Sequence, residues 1–220
     1  MTGLAAIPNL LTGARLVLAI AMWVCLAHAV GAIPFLTSSS GDDQFALLKY
    51  AFILFVIGAI TDFFDGLLAR RWKVESVTGA IMDPIADKLL VTGAILGLLS
   101  MGGALQDFSL FAFPAALILF REFAVSALRE VAAGRGVRLP VTTLAKWKTT
   151  IQLIALGFEL FAVSWPAFGF SSDPADYTPV IQIAHALMWI AAAVTLWTGF
   201  EYWLAARRGL KDQPARTSEA

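Results

Sequence analysis

The sequence predicts an all-α integral membrane protein of six transmembrane helices with both termini in the cytoplasm. Three observations carry that prediction. Hydrophobic residues make up 59% of the 220 and charged residues only 15%, with a mean hydropathy of +0.75, far from the composition of a water-soluble domain. Six stretches, at 8–32, 45–70, 80–102, 108–133, 144–165 and 179–206, reach the roughly 20 apolar residues that a spanning helix needs. They are too long and too uniformly apolar for barrel strands, and open strands leave backbone groups unsatisfied in lipid. The cations are also segregated. The first, third and fifth connections, "IPFLTSSSGDD", "SMGGALQD" and "SWPAFGFSSDPADYTP", hold Asp42, Asp43, Asp107, Asp173 and Asp176 but no lysine or arginine. The alternate connections and the tail hold Arg70, Arg71, Lys73, Arg129, Arg135, Arg138, Lys146, Lys148, Arg207, Arg208 and Lys211, which assigns them to the cytoplasmic side.

The first span lacks a basic segment before its apolar run and a small-residue cleavage site after it, so it reads as a retained helix and not a signal peptide. It carries Arg15 and the single cysteine, Cys25, which reads as a small buried hydrophobe and excludes an intramolecular disulfide. The second span ends in, and the third begins in, the charged stretch "DFFDGLLARRWKVESVTGAIMDPIAD". The fourth carries Arg121 and Glu122 within "LILFREFAVSALREV", at a depth where a charge lines a cavity or finds a partner. Lys146 and Lys148 open the fifth span, and the sixth is followed by a cytoplasmic tail, 207–220, expected to be disordered. His28, His185, Glu159 and Glu201 are isolated on apolar spans and read as packed or hydrogen-bonded between helices. Acidic and basic residues balance at 16 each, so net charge gives no sign of a nucleic-acid partner, and none is expected.

The chemistry concentrates in residues 62–87. Asp62 and Asp65 are three apart, and Asp83 and Asp87 four apart, so each pair projects from one face of its own helix. The second helix runs toward the cytoplasm and the third leaves it, so their ends are expected side by side with four carboxylates in one pocket. Such a cluster is costly unless a cation fills it. With oxygen the only donor and no histidine or cysteine nearby, Mg²⁺ or Mn²⁺ is the natural filler. Four aspartates leave room for two ions, or for one carboxylate to work as a base. Gly66, Ala69 and Gly79 lack bulk, which lets a flat group approach the backbone, and Arg70 and Arg71 can balance phosphate charge. A solvated cytoplasmic loop with ordinary surface charges accounts well for Arg71, Lys73 and Glu75. It accounts poorly for Asp62 and Asp87, which lie on the spans themselves.

The pattern D-x2-D-G-x2-A-R-x8-G-x3-D-x3-D, met by Asp62, Asp65, Gly66, Ala69, Arg70, Gly79, Asp83 and Asp87, resembles the signature of the CDP-alcohol phosphatidyltransferases. The resemblance implies that residues 1–206 form a six-span catalytic domain, often homodimeric, with its site on the cytoplasmic side of a bacterial inner membrane. It implies two divalent ions held by Asp62, Asp65 and Asp83, with Asp87 beside them as general base. The CDP moiety would contact Asp62, Asp65, Gly66, Ala69, Arg70 and Gly79. Three further segments, "IPNLLTGARLVL", "REFAVSALREVAAGRG" and "AKWKTTIQ", resemble the phosphatidylglycerophosphate synthase subgroup. That subgroup implies CDP-diacylglycerol as donor and sn-glycerol 3-phosphate as acceptor, the acceptor phosphate being sought among Arg121, Arg129, Lys146 and Lys148. These cations by themselves favour an acceptor that bears a phosphate over a neutral one. Two alternatives stay open on the sequence: a sibling transferase using phosphatidylglycerol or inositol phosphate, and a divalent-cation transporter, since intramembrane aspartates also mark ion pathways.

Overall fold

The computed structural model describes residues 6–36, 41–72, 77–102, 107–137, 139, 143–171 and 173–211, with the side chains of 6–9, 63–72, 77–81, 83 and 143–146 outside the description. Among the described residues the chain forms six α-helices and a 3₁₀ turn between the last two of them, without strands. The helices are α1 (Ala6–Ala29), α2 (Asp42–Trp72), α3 (Val77–Ser100), α4 (Phe108–Gly134), α5 (Thr143–Ser164) and α6 (Pro174–Lys211), the turn being Trp165–Phe168. Each helix overlaps one predicted span. Among the described residues all but α3 pass as candidate membrane spans by length and apolar composition, and α3 runs for 24 residues.

Local chemistry sets the helix ends. After α1, Gly31 adopts φ 69°, its N–H donates to His28 O, and Ala32 N–H donates to Ala27 O. After α4, Gly136 at φ 72° repeats the arrangement with Ala133 O, and Val137 with Ala132 O. Both are Schellman motifs, which need a left-handed residue and so favour glycine. At the start of α6 the Asp173 carboxylate accepts from Ala175 N–H at 2.9 Å, with Pro174 in the first helical position, a pairing that suits a helix N-terminus. This helix therefore begins five residues before the predicted limit. At its other end it continues through Lys211; residues 212–220 lie outside the description.

The helices form two groups of three. Helix α1 packs along both α2 and α3, while α6 packs along both α4 and α5; α5 joins the groups by contacting α2 and α3. Buried Met22, Leu26, Phe55, Leu90, Ile95, Leu98, Phe111, Ile118, Leu156, Leu160 and Met188 build one core across the join. Among the described residues α2 and α3 meet only sparingly, because α1 intercalates between them. The cytoplasmic ends of α2 and α3, expected side by side, fall largely on residues whose side chains lie outside the description. What lets α1 approach α3 is Gly97, where a Cβ would lie 2.4 Å from Leu26 Cδ1 and 2.8 Å from Leu26 Cβ.

Candidate active site

The intercalation of α1 carries a cation between the aspartates. Arg15 on α1 is fully buried, and its Nη1 lies 2.6 Å from Asp62 Oδ1 on α2 and 2.5 Å from Asp87 Oδ1 on α3. One nitrogen therefore bridges carboxylates from two helices, and a third helix supplies the charge that lets them approach. Asp65, Gly66, Ala69 and Arg70 fall on α2, and Gly79 and Asp83 on α3, but their side-chain positions lie outside the description. The two described aspartates thus meet at one point, and Arg15 is the partner that the spacing did not reveal.

A cavity of about 550 Å³ opens beside Asp87, where α3 faces α4, α5 and α6. Asp87 and Lys88 from α3, Arg121, Glu122 and Arg129 from α4, and Lys148 from α5 line it: four cations and two carboxylates, a formal excess of two positive charges. Three of the four residues considered for an acceptor phosphate are thereby gathered around one space with Asp87. The side chain of the fourth, Lys146, is outside the description.

Glu122 is the hub of this wall. Its Oε1 accepts from Arg121 Nη1 at 3.1 Å, Lys148 Nζ at 2.5 Å and Gln152 Nε2 at 3.3 Å. The Arg121–Glu122 pair therefore both finds partners and lines a cavity. Helix α6 completes the wall. Arg121 Nη2 donates to Thr198 Oγ1 at 2.9 Å, Gln152 Nε2 to Thr195 Oγ1 at 2.7 Å, and Arg129 Nη2 to the Tyr202 hydroxyl at 2.5 Å. The Tyr202 ring faces both guanidinium groups, with Arg129 Cζ 4.5 Å and Arg121 Cζ 5.9 Å from its centroid. Among the described residues no carboxylate lies within ion-pair distance of Arg129. Sequence reasoning passed over Thr195, Thr198 and Tyr202, although their three- and four-residue spacing puts polar groups on one face of an apolar helix.

A smaller apolar cavity of about 150 Å³ lies between α1 and α3, lined by Ala19, Ile20, Trp23, Leu89, Thr92, Gly93 and Leu96. Thr92 lines both spaces. Farther along the helices, His185 Nδ1 on α6 lies 2.9 Å from Glu159 Oε1 on α5, both buried, so these two polar residues pair across a helix interface.

The family model for CDP-alcohol phosphatidyltransferase matches residues 5–197. A protein of Cereibacter sphaeroides named CDP-diacylglycerol–glycerol-3-phosphate 3-phosphatidyltransferase is 36% identical over 235 residues, covering 94% of this chain and 98% of its own. Proteins of the same name from Rickettsia bellii and Haemophilus influenzae are 38% and 35% identical, covering 71% and 73% of this chain and 78% of their own lengths in each case. With most of its length matched by the family model and by relatives above 30% identity, the chain belongs to the CDP-alcohol phosphatidyltransferase family.

Proposed function

We propose that this protein transfers the phosphatidyl group of CDP-diacylglycerol to sn-glycerol 3-phosphate, releasing CMP and forming phosphatidylglycerol phosphate. One observation carries the choice of acceptor. The cavity beside Asp87 is lined by Arg121, Arg129 and Lys148 with a surplus of two positive charges, which suits an alcohol bearing a dianionic phosphate. The names of the relatives point the same way.

In the proposed reaction the acceptor phosphate rests against the cations of α4 and α5, which turns the terminal hydroxyl of the glycerol toward Asp87. Asp87 takes the hydroxyl proton, an oxygen–phosphorus bond forms at the phosphorus bearing diacylglycerol, and the bond to CMP breaks. Asp62, Asp65 and Asp83, with Asp87 beside them, would hold two Mg²⁺ or Mn²⁺ ions. Two observations fit that role: the donor set is entirely oxygen, and Asp62 and Asp87 already converge within 2.6 Å of a single cationic nitrogen. The ions would neutralise the diphosphate and the charge developing on CMP. Gly66, Ala69, Gly79 and Arg70 would receive the CDP moiety. The proposal includes α3 as a sixth span, both termini and the site in the cytoplasm of a bacterial inner membrane, and a homodimeric assembly, on the distribution of lysine and arginine and the family resemblance.

The test is CMP release by the purified protein from CDP-diacylglycerol with Mg²⁺ and a panel of acceptors. Release is expected with glycerol 3-phosphate, loss of release with EDTA, and recovery with added Mg²⁺ or Mn²⁺. Release with inositol phosphate or phosphatidylglycerol alone would replace the acceptor. Metal flux into proteoliposomes without CMP release would replace the reaction by transport.

A further inference from the structure

We propose that helix α6 sets the selectivity for a phosphorylated acceptor, through Tyr202 as a positioning residue for Arg129 and Arg121 and through Gly199 as the notch that admits Arg121. The inference deepens, and rests on, the assignment of glycerol 3-phosphate to the cavity beside Asp87.

Long arginine side chains lose considerable rotamer freedom when they are fixed, so a cation serves recognition best when its position is settled before the ligand arrives. Arg121 meets that condition through Glu122 and Thr198. Arg129 has no carboxylate within ion-pair distance among the described residues; Tyr202 holds it, by the hydroxyl at 2.5 Å and the ring face at 4.5 Å. Only 3% of Tyr202 is exposed, so its ring is itself fixed by packing. A neutral phenol has a further consequence. It orients Arg129 without cancelling the charge, leaving the guanidinium able to pair with an incoming anion, whereas a carboxylate in that place would compete with the phosphate.

Gly199 completes the support from the same helix. A Cβ there would lie 2.9 Å from Arg121 Cγ and 3.0 Å from Arg121 Nε, closer than packed carbon atoms tolerate, so glycine is what lets the Arg121 stem lie against α6. Thr198, Gly199 and Tyr202 lie on α6, apart from the helices that carry the aspartate signature.

The experiment measures KM and kcat for each substrate with the purified full-length protein, together with its thermal midpoint. Removing the hydroxyl in Tyr202→Phe is expected to raise KM for glycerol 3-phosphate about tenfold, the order of one hydrogen bond to a charged group. KM for CDP-diacylglycerol and kcat should stay within about twofold. Tyr202→Leu, which also removes the ring, should raise the acceptor KM further, and Gly199→Ala should raise it by displacing Arg121. The preference for glycerol 3-phosphate over uncharged glycerol, as a ratio of kcat/KM, should fall by the same factor in Tyr202→Phe. An acceptor KM that does not change, or a parallel rise in both KM values accompanied by a lower thermal midpoint, overturns the inference. If the wild type releases CMP with glycerol 3-phosphate while Tyr202→Phe behaves identically, the inference alone fails. If the wild type releases none with that acceptor, the functional assignment and the inference fall together.

Discussion

Arg15 supplies, from a helix outside the aspartate motif, the positive charge that holds Asp62 and Asp87 together. With its Nη1 within 2.6 Å of both carboxylates, Arg15→Gln leaves them facing each other without that charge. We expect a loss of stability of about 1–3 kcal/mol in EDTA, smaller in saturating Mg²⁺, because a divalent ion restores the missing attraction. Thermal unfolding followed with and without Mg²⁺ checks this; an equal loss in both conditions contradicts it. The aspartates were legible in the sequence because i, i+3 and i, i+4 spacing is local. Arg15 was seen only as a charge entering the first span, since a contact across 72 residues depends on how α1 packs and leaves no local periodicity. Tyr202 was illegible for a related reason: an aromatic residue near a span end reads equally as a membrane-interface anchor.

Among the elements, the six helices were legible from apolar length alone, while their ends were legible only where capping chemistry was consulted. The Asp173–Pro174 start of α6 is written in "SSDPADY", yet hydropathy put the boundary five residues later, because a polar first turn carries no apolar signal. The 3₁₀ turn Trp165–Phe168 was read as connection; Pro166 near its start and Gly169 at φ 80° after it delimit a single tight turn. The close crossing of α1 and α3 was not legible, since Gly97 is one of 17 glycines and its importance lies in facing Leu26. Gly97→Leu should force the two helices apart at a cost of about 1–3 kcal/mol. It should also lower kcat, since Arg15 and Asp87 ride on the same pair. Combining it with Leu26→Ala, which vacates the space, should recover much of both. Thermal unfolding and CMP release read the two effects, and a double variant no better than the single one counts against the packing explanation.

Over the whole molecule, the two groups of three helices divide the proposed reaction. The aspartates belong to α2 and α3, the acceptor cations to α4 and α5 with support from α6, and the cavity lies along the seam. The sequence showed both sets of charges but not that Asp87 and the cations of α4 and α5 share one cavity, because the seam is made by helices distant in the chain. Each half should therefore be separable by kinetics. Lys148→Gln is expected to raise KM for glycerol 3-phosphate about 10- to 100-fold with little change in donor KM. Asp62→Asn should instead impair handling of CDP-diacylglycerol and the response to Mg²⁺, with little change in binding of the acceptor. Initial rates with one substrate varied at a time, and equilibrium binding of glycerol 3-phosphate, distinguish the two; equal effects of either change on both substrates would deny the division. The seam also bears on descent with modification. When the group that recognises the nucleotide and the group that recognises the alcohol are separate helical bodies meeting along one face, substitutions in the second can try new alcohols while the first keeps its chemistry, so one ancestral scaffold can give rise to enzymes for many headgroups.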